Sequence, residues 1–234
     1  MHSPLKFLLN FWNSSIGKKI VVALTGLVLT LFLAGHLSGN MLMYVGEHAF
    51  NEYAYFLHHM LHGAGVWIAR IVLLTCLVLH VVGTVMLTKQ NRAAGTNYEV
   101  DGTQRSSVHS KLMIWSGLTI LAFVFYHILH FTARIGNEYN GISYDIILDG
   151  HEAHNAYKMV IDGFSWPPAT LFYLIAVTLL CSHLSHGVAS IFQTLGLRSK
   201  KTESIIDIGS KIYAIVILVG FVSIPLSVAF GIIK

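Results

Sequence analysis

Five long apolar stretches constrain the fold of this chain more than any other feature. Each is about 20 to 25 residues long, the length that an α-helix needs to cross the hydrocarbon core of a bilayer. The composition agrees, since 54% of the 234 residues are hydrophobic, only 11% are charged and the mean hydropathy is +0.64. We therefore predict an all-α, polytopic membrane protein, a single domain over residues 1–234 that forms a five-helix transmembrane bundle. The predicted spans are residues 20–44, 66–88, 111–133, 168–192 and 212–232.

The basic residues fall mostly on one side of the predicted bundle. Eleven of the fifteen lysines and arginines share the side of the N-terminus: Lys6, Lys18, Lys19, Lys89, Arg92, Arg105, Lys111, Arg198, Lys200, Lys201 and Lys211. Only Arg70, Arg134, Lys158 and Lys234 fall on the other side. The positive-inside rule then predicts a multi-pass protein of a bacterial cytoplasmic (inner) membrane with its N-terminus in the cytoplasm. The net charge of +4 follows from this topology and does not indicate nucleic-acid binding.

Four histidines lie inside the predicted spans, one on each of the first four: His36, His80, His127 and His183. An imidazole in hydrocarbon is costly, so such residues are functional candidates. Relative to the midpoints of their spans, His36 and His127 lie four and five residues toward the outer side, whereas the other two lie three residues toward the cytoplasm. At about 1.5 Å per residue this gives an outer pair roughly 6–7 Å from the centre and an inner pair roughly 4–5 Å from it.

Two imidazoles from facing helices at one depth are the ligand set of a low-spin b haem. We therefore predict two haem b groups, with the outer iron bound by His36 and His127 and the inner iron by His80 and His183. The chain has no C-x-x-C-H motif, so the haems would be held without covalent attachment. Interhelical hydrogen bonding or a polar cavity is the alternative explanation for four such histidines.

Neighbouring residues support this prediction less specifically. Four glycines flank these histidines or follow one turn later and would leave room for a porphyrin: Gly35, Gly39, Gly83 and Gly187. Small residues at such spacings also pack membrane helices without any cofactor. His130 and His186 match no partner in depth, so we predict that they lie beside a haem or a quinone rather than bind iron.

The two outer connections are predicted to contain interfacial helices, within residues 45–65 and 154–164. In the first of them, Glu52 is our candidate for a quinone-site residue that accepts protons from quinol, and an exposed interfacial acid is the alternative. Two histidine motifs here resemble metal sites. The H-H-x-x-H spacing at 58–62 lacks companion motifs, and His151-Glu-Ala-His154 is one residue too short for a zinc-protease motif. We therefore interpret both as solvated loop or interface residues.

Several motifs together resemble a known family over nearly the whole chain. They are Ser15-Ile-Gly-Lys-Lys19, Leu24-Thr-Gly26, Gly35-His-Leu-Ser-Gly-Asn40, His80-Val-Val-Gly83, Ser116-Gly117, Tyr126-His127, Tyr157-Lys-Met-Val160, Phe164-Ser165, His183-Leu-Ser-His-Gly187 and Phe192-Gln-Thr-Leu-Gly196. With these motifs the chain is similar to the dihaem cytochrome b membrane-anchor subunits of succinate:quinone oxidoreductases, which include succinate dehydrogenase and fumarate reductase.

The resemblance implies five helices, two b haems and a site for a membrane quinone, usually menaquinone. It places the outer axial ligands on His36 and His127 and the inner ones on His80 and His183, in agreement with the depth argument. It also implies two partner subunits docked on the cytoplasmic face, a flavoprotein that holds FAD and an iron–sulfur protein that holds the clusters. Dicarboxylate chemistry would then occur in those partners, because this chain has no dinucleotide-binding motif and only two cysteines.

Two other functions remain open at the level of sequence. The chain could be a dihaem cytochrome b subunit of another quinone-linked dehydrogenase or of a hydrogenase. It could also be a histidine-rich membrane transporter that binds no haem. Spectroscopy and the identity of co-purifying subunits distinguish these three possibilities.

Overall fold

A computed structural model describes residues 3–95 and 108–234 of the chain, and the described part is mostly helical. The helices are α1 (Pro4–Asn13), α2 (Ser15–Asn40), α3 (Glu47–His59), α4 (Ala64–Gly95), α5 (Val108–His127), α6 (Ala156–Phe164), α7 (Pro167–Thr194) and α8 (Glu203–Ala229). Short 3₁₀ segments cover Met41–Tyr44 and Ile142–Tyr144, and a π-helical turn covers Ile128–Thr132. Strands β1 (Asp145–Leu148) and β2 (His151–His154) form a small antiparallel hairpin.

Five helices in the described residues are long and apolar enough to cross a membrane, as predicted. The spans cover Ser15–Tyr44, Ala64–Asn91, Met113–Thr132, Pro167–Thr194 and Glu203–Ala229. Helices α2 and α7 occupy the middle of the bundle, since α2 packs against α4, α7 and α8, and α7 packs against α5, α8 and α2. Helix α8 carries no histidine and packs mainly on α7, where Ala176 and Ile217 are almost completely buried.

Two of the long helices begin with residues that favour a helix start. The side chain of Ser14 caps α2 by accepting a hydrogen bond from the backbone N–H of Gly17. Pro167 and Pro168 occupy the first turn of α7, where a missing N–H costs no hydrogen bond. Lys18 is almost fully buried, and its ammonium group donates to the carbonyl of Asn13 at the end of α1. A cation suits that position because helix C-termini carry partial negative charge.

One helix continues beyond its predicted span, and one predicted boundary is wrong. The second span ends near the predicted residue 88, but helix α4 continues to Gly95, because residues 89–94 are mostly good helix formers. Residues 96–107 of the predicted loop, including Arg105, lie outside the described residues. Helix α8 begins at Glu203, nine residues before the predicted start at 212. Its polar first turns are stabilised by an ion pair between Asp207 and Arg198, with the N and O atoms 2.8 Å apart.

The connections at one end of the bundle fold into a cap. We call this end the outer end and define it by α3, the β1–β2 hairpin and α6. Helices within residues 45–65 and 154–164 are confirmed, but the second begins at Ala156 rather than at 154. The all-α prediction is wrong in this part of the chain, because β1 and β2 form a hairpin. Its turn residues, Asp149 and Gly150, have φ angles of 50° and 83°, the type I′ geometry that an Asp-Gly pair favours.

A buried amide network joins α3 to α6. Asn51 is 1% exposed, donates to the side-chain oxygen of Asn155 at 3.1 Å and accepts from the backbone N–H of Tyr157 at 2.9 Å. Asn155 caps α6 through the N–H of Lys158 and donates to the carboxylate of Glu47. Each amide in this chain of contacts has a partner, so the network fixes α3 and α6 to each other within the cap.

Candidate cofactor site in the bundle

A cavity of about 3200 Å³ runs between the helices of the bundle. It is several times larger than the roughly 300–1,000 Å³ of an ordinary small-molecule pocket. Residues of α2, α4, α5 and α7 line it, and most of the lining side chains are apolar. All four predicted histidines lie in its wall: His36, His80, His127 and His183.

The outer pair of imidazoles meets across this cavity. The rings of His36 and His127 have centroids 5.8 Å apart and planes at 78° to each other. A metal ion held between two imidazole nitrogens at about 2 Å each separates those nitrogens by about 4 Å. A centroid separation of 5.8 Å is compatible with that arrangement, so the pairing of the first and third spans by depth is also found in space.

The inner pair is held by hydrogen bonds to neighbouring helices. His80 Nδ1 lies 3.1 Å from the carbonyl oxygen of Val22 and 3.4 Å from the hydroxyl of Thr25, both on α2. His183 Nδ1 lies 3.4 Å from the hydroxyl of Ser116 on α5. Both imidazoles line the same cavity, so the second and fourth spans contribute to one wall of it.

The hydrogen bonds also determine which nitrogen of each imidazole carries the proton and which keeps a lone pair that can bind a metal. The carbonyl of Val22 can only accept, so Nδ1 of His80 carries the proton. The hydroxyl of Ser116 donates to the carbonyl of Met113, so its oxygen accepts from Nδ1 of His183. Among the described residues no hydrogen bond engages Nε2 of either ring, and this nitrogen keeps a free lone pair. Metal-binding histidines usually have this arrangement, with the other nitrogen donating to an oxygen.

Two glycines leave space against the inner rings. A Cβ atom on Gly26 would lie 3.1 Å from Cε1 of His80, and one on Gly117 would lie 3.7 Å from Cε1 of His183. Of the predicted glycines, Gly35 borders open space in the cavity wall, whereas Gly39 packs on the ring of Tyr53. The predicted glycines therefore differ in their surroundings, one beside open space and one in close packing. The open space and the paired imidazoles fit a flat cofactor that binds a metal between two histidines.

The second histidines of α5 and α7 are placed differently. Neither His130 nor His186 lies in the cavity wall. His130 is buried behind His127, and the hydroxyl of Tyr173 lies 3.2 Å from Nδ1 of both rings. Tyr173 was not predicted from the sequence, because an aromatic residue in an apolar span gives no signal of a hydrogen bond.

Glu52, the predicted quinone residue, lies outside the cavity. Its side chain is 66% exposed, and one carboxylate oxygen is 4.0 Å from Nδ1 of His48. His48 also contacts Asp149 of the hairpin turn at 3.2 Å, and this hydrogen bond together with the negative charge raises the pKa of the imidazole. Glu52 thus belongs to an exposed group of charges on the cap.

The loop histidine motifs form no metal site within the described residues, since no group of three or more metal-binding side chains is found there. Three members of these motifs nevertheless line the outer end of the cavity, namely His58 and His59 at the end of α3 and His154 at the end of β2. Arg70 and Arg134 line the cavity at the same end. The sequence pattern did not predict this cluster, because its members come from four separate segments.

The described geometry was compared with known proteins. No family model, no curated protein and no solved structure matches this chain. The paired histidines and their cavity are therefore the features from which a function can be inferred.

Proposed function

We propose that this chain is the membrane-anchor cytochrome b subunit of a succinate dehydrogenase or fumarate reductase complex. In this proposal it relays electrons between an iron–sulfur partner subunit and a membrane quinone, with menaquinone expected. The observation that carries the proposal is the pair of facing imidazoles of His36 and His127 in the wall of an apolar cavity that His80 and His183 also line.

The residues of the chain fit two b haems. His36 and His127 would hold the outer haem, and His80 and His183 the inner one. When bound, each haem supplies one-electron chemistry at its iron. The oxygen atoms of Val22 and Ser116 fix the tautomer of the inner imidazoles, and Tyr173 contacts Nδ1 of His127. With the haems bound, the apolar lining would surround them with a medium of low dielectric constant.

The charge distribution supports the proposed partners. Lysines and arginines are concentrated at the end of the bundle opposite the cap, where the flavoprotein with FAD and the iron–sulfur subunit would dock. Such a basic surface favours association with acidic partner surfaces. The position of Glu52 outside the cavity gives no support to that residue as the quinone ligand, so the quinone itself remains part of the proposal without an assigned side chain.

The test is the haem content of the protein purified from membranes. We expect a reduced-minus-oxidised spectrum of b haem and a ratio of two haems per chain. A colourless chain would overturn the proposal and favour a histidine-rich transporter. Co-purification with a subunit containing FAD and with succinate-dependent haem reduction is expected as well. Two haems reduced instead by hydrogen or formate would assign the chain to another quinone-linked dehydrogenase or a hydrogenase.

A further inference from the structure

Two arginines reach the outer end of the cavity from different elements. Arg70 lies in the second turn of α4, and Arg134 follows the π-helical turn that ends α5. Both line the cavity, together with His58 and His154. The outer side carries only four basic residues in all, so half of them are directed to one opening.

Neither guanidinium is neutralised by an acid. In residues 3–95 and 108–234 the ion pairs involve other residues, and neither arginine has a carboxylate within 4.0 Å. The side chain of Arg134 donates only to the amide oxygen of Asn140 at 3.3 Å, and its buried Nε has no partner. Arg70 lies over the ring of Trp67 at 4.9 Å. Such unpaired positive charge beside an apolar cavity is unfavourable unless an anion binds there.

The charge of the two arginines contributes to pKa shifts of the neighbouring groups. Desolvation and the charge of Arg70 lower the pKa of Arg134. Desolvation and the positive charges of both arginines lower the pKa of His58. Desolvation and the charge of Arg134 lower the pKa of His154 to about 4, although the negative charge of Asp145 opposes this shift. Asp145 and Glu152 also line this end of the cavity, but beyond ion-pair distance from either arginine. Both histidines are therefore neutral near pH 7.

The backbone holds Arg134 in an uncommon conformation. Its φ angle is 54°, in the left-handed region that residues with a side chain rarely adopt. The turn is fixed on both sides, since the N–H of Ala133 donates to Ile128 and that of Ile135 donates to Leu129. Backbone strain of this kind persists where the surrounding structure imposes it, and it is concentrated at ligand sites.

We infer that Arg70 and Arg134 form a carboxylate-binding site, which holds the two propionate groups of the haem bound between His36 and His127. Guanidinium groups bind carboxylates through paired hydrogen bonds, and two arginines match a ligand with two carboxylates. This inference rests on the proposed function. The same chemistry would also bind the phosphate of an anionic lipid headgroup, and the experiment distinguishes the two sources.

The experiment compares the binding of two forms of haem to the wild type and to variants of the two arginines. The full chain, produced under haem depletion, is titrated with haem and with haem dimethyl ester, whose carboxylates are blocked. We expect the wild type to bind the ester at least 10-fold more weakly at the outer site, and the Arg70→Gln/Arg134→Gln double variant to bind both forms equally. Lys158→Gln is the control, because Lys158 is an outer cation that already pairs with Asp162 and does not line the cavity.

Further measurements keep the inference testable if the double variant is produced poorly. Arg134→Lys keeps the charge and is expected to retain part of the preference for haem over the ester, whereas Arg134→Gln is expected to lower the midpoint potential of the outer haem. Equal binding of haem and ester by the wild type overturns the inference while leaving two haems in place. Loss of bound phospholipid phosphorus in the variants, with unchanged ester discrimination, assigns the arginines to a lipid instead. A wild-type chain that binds no haem overturns the proposed function itself.

Discussion

At the scale of single residues, the cavity histidines differ in the atom that orients them. A backbone carbonyl binds Nδ1 of His80, and a hydroxyl binds Nδ1 of His183. Substituting either residue with Ala removes one of two axial ligands, so we expect the purified variant to lose the inner haem and keep one haem per chain. His186→Ala is the matched control on α7, one turn away and outside the cavity wall, and should keep both. Two haems in His80→Ala or His183→Ala would contradict the assignment.

Tyr173 gives a second prediction at this scale. Its hydroxyl lies 3.2 Å from Nδ1 of both His127 and His130, so it can accept from one ring and donate to the other. An acceptor on Nδ1 makes the ligand more basic and stabilises the oxidised iron. Tyr173→Phe should therefore raise the midpoint potential of the outer haem and weaken its binding by about 10-fold. Redox titration measures the potential, and titration of the haem-depleted protein with haem measures the affinity.

The control for this prediction is Tyr213→Phe. Tyr213 also lies in a span, but its hydroxyl donates to the carbonyl of Thr30 and not to a histidine. Its substitution should leave both midpoint potentials unchanged. If the two variants shift the outer potential equally, Tyr173 acts through packing and not through its contact with His127.

At the scale of elements, buried polar contacts between α3 and α6 hold the cap together in addition to its apolar packing. Asn51→Ala would remove both bonds of a fully buried amide and leave the N–H of Tyr157 without a partner. Each buried group left unsatisfied costs about 1–3 kcal/mol, so we expect a lower free energy of unfolding and a lower thermal midpoint. Glu52→Gln, one residue away and exposed, should change stability by less than about 0.5 kcal/mol. Equal midpoints for the two variants would show that the network does not hold the cap.

Helices were predicted correctly from the sequence where a single strong pattern, a long apolar run, identifies them. Long apolar runs identify the five spans, and the alternation of helix direction brings His36 beside His127. The hairpin was missed although Asp149-Gly150 is a known turn signal, because four-residue strands carry too little periodicity. The early start of α8 was missed since charged residues were interpreted as loop. Neither the Tyr173 contact nor the arginine cluster has a local pattern, because each arises from packing between distant segments.

At the scale of the whole molecule, the five candidate spans of the described residues predict that the two ends of the chain lie on opposite sides of the membrane. The excess of basic residues predicts that the cap faces outward and that the α7–α8 connection faces the cytoplasm. Ile142, beside the cap, and Leu197, in the α7–α8 connection, are both well exposed. Each can therefore be replaced by cysteine with little effect on packing.

Cysteine labelling then tests the orientation in intact cells. A membrane-impermeant maleimide should label Ile142→Cys before lysis, whereas Leu197→Cys should react only after the cells are opened. The wild type is the control, since Cys181 is buried and Cys76 lies within a span, and neither should react. The reverse labelling pattern would place the basic end outside. The partner subunits could then not dock at that end from the cytoplasm, and an electron relay starting there would be ruled out even if both haems were present.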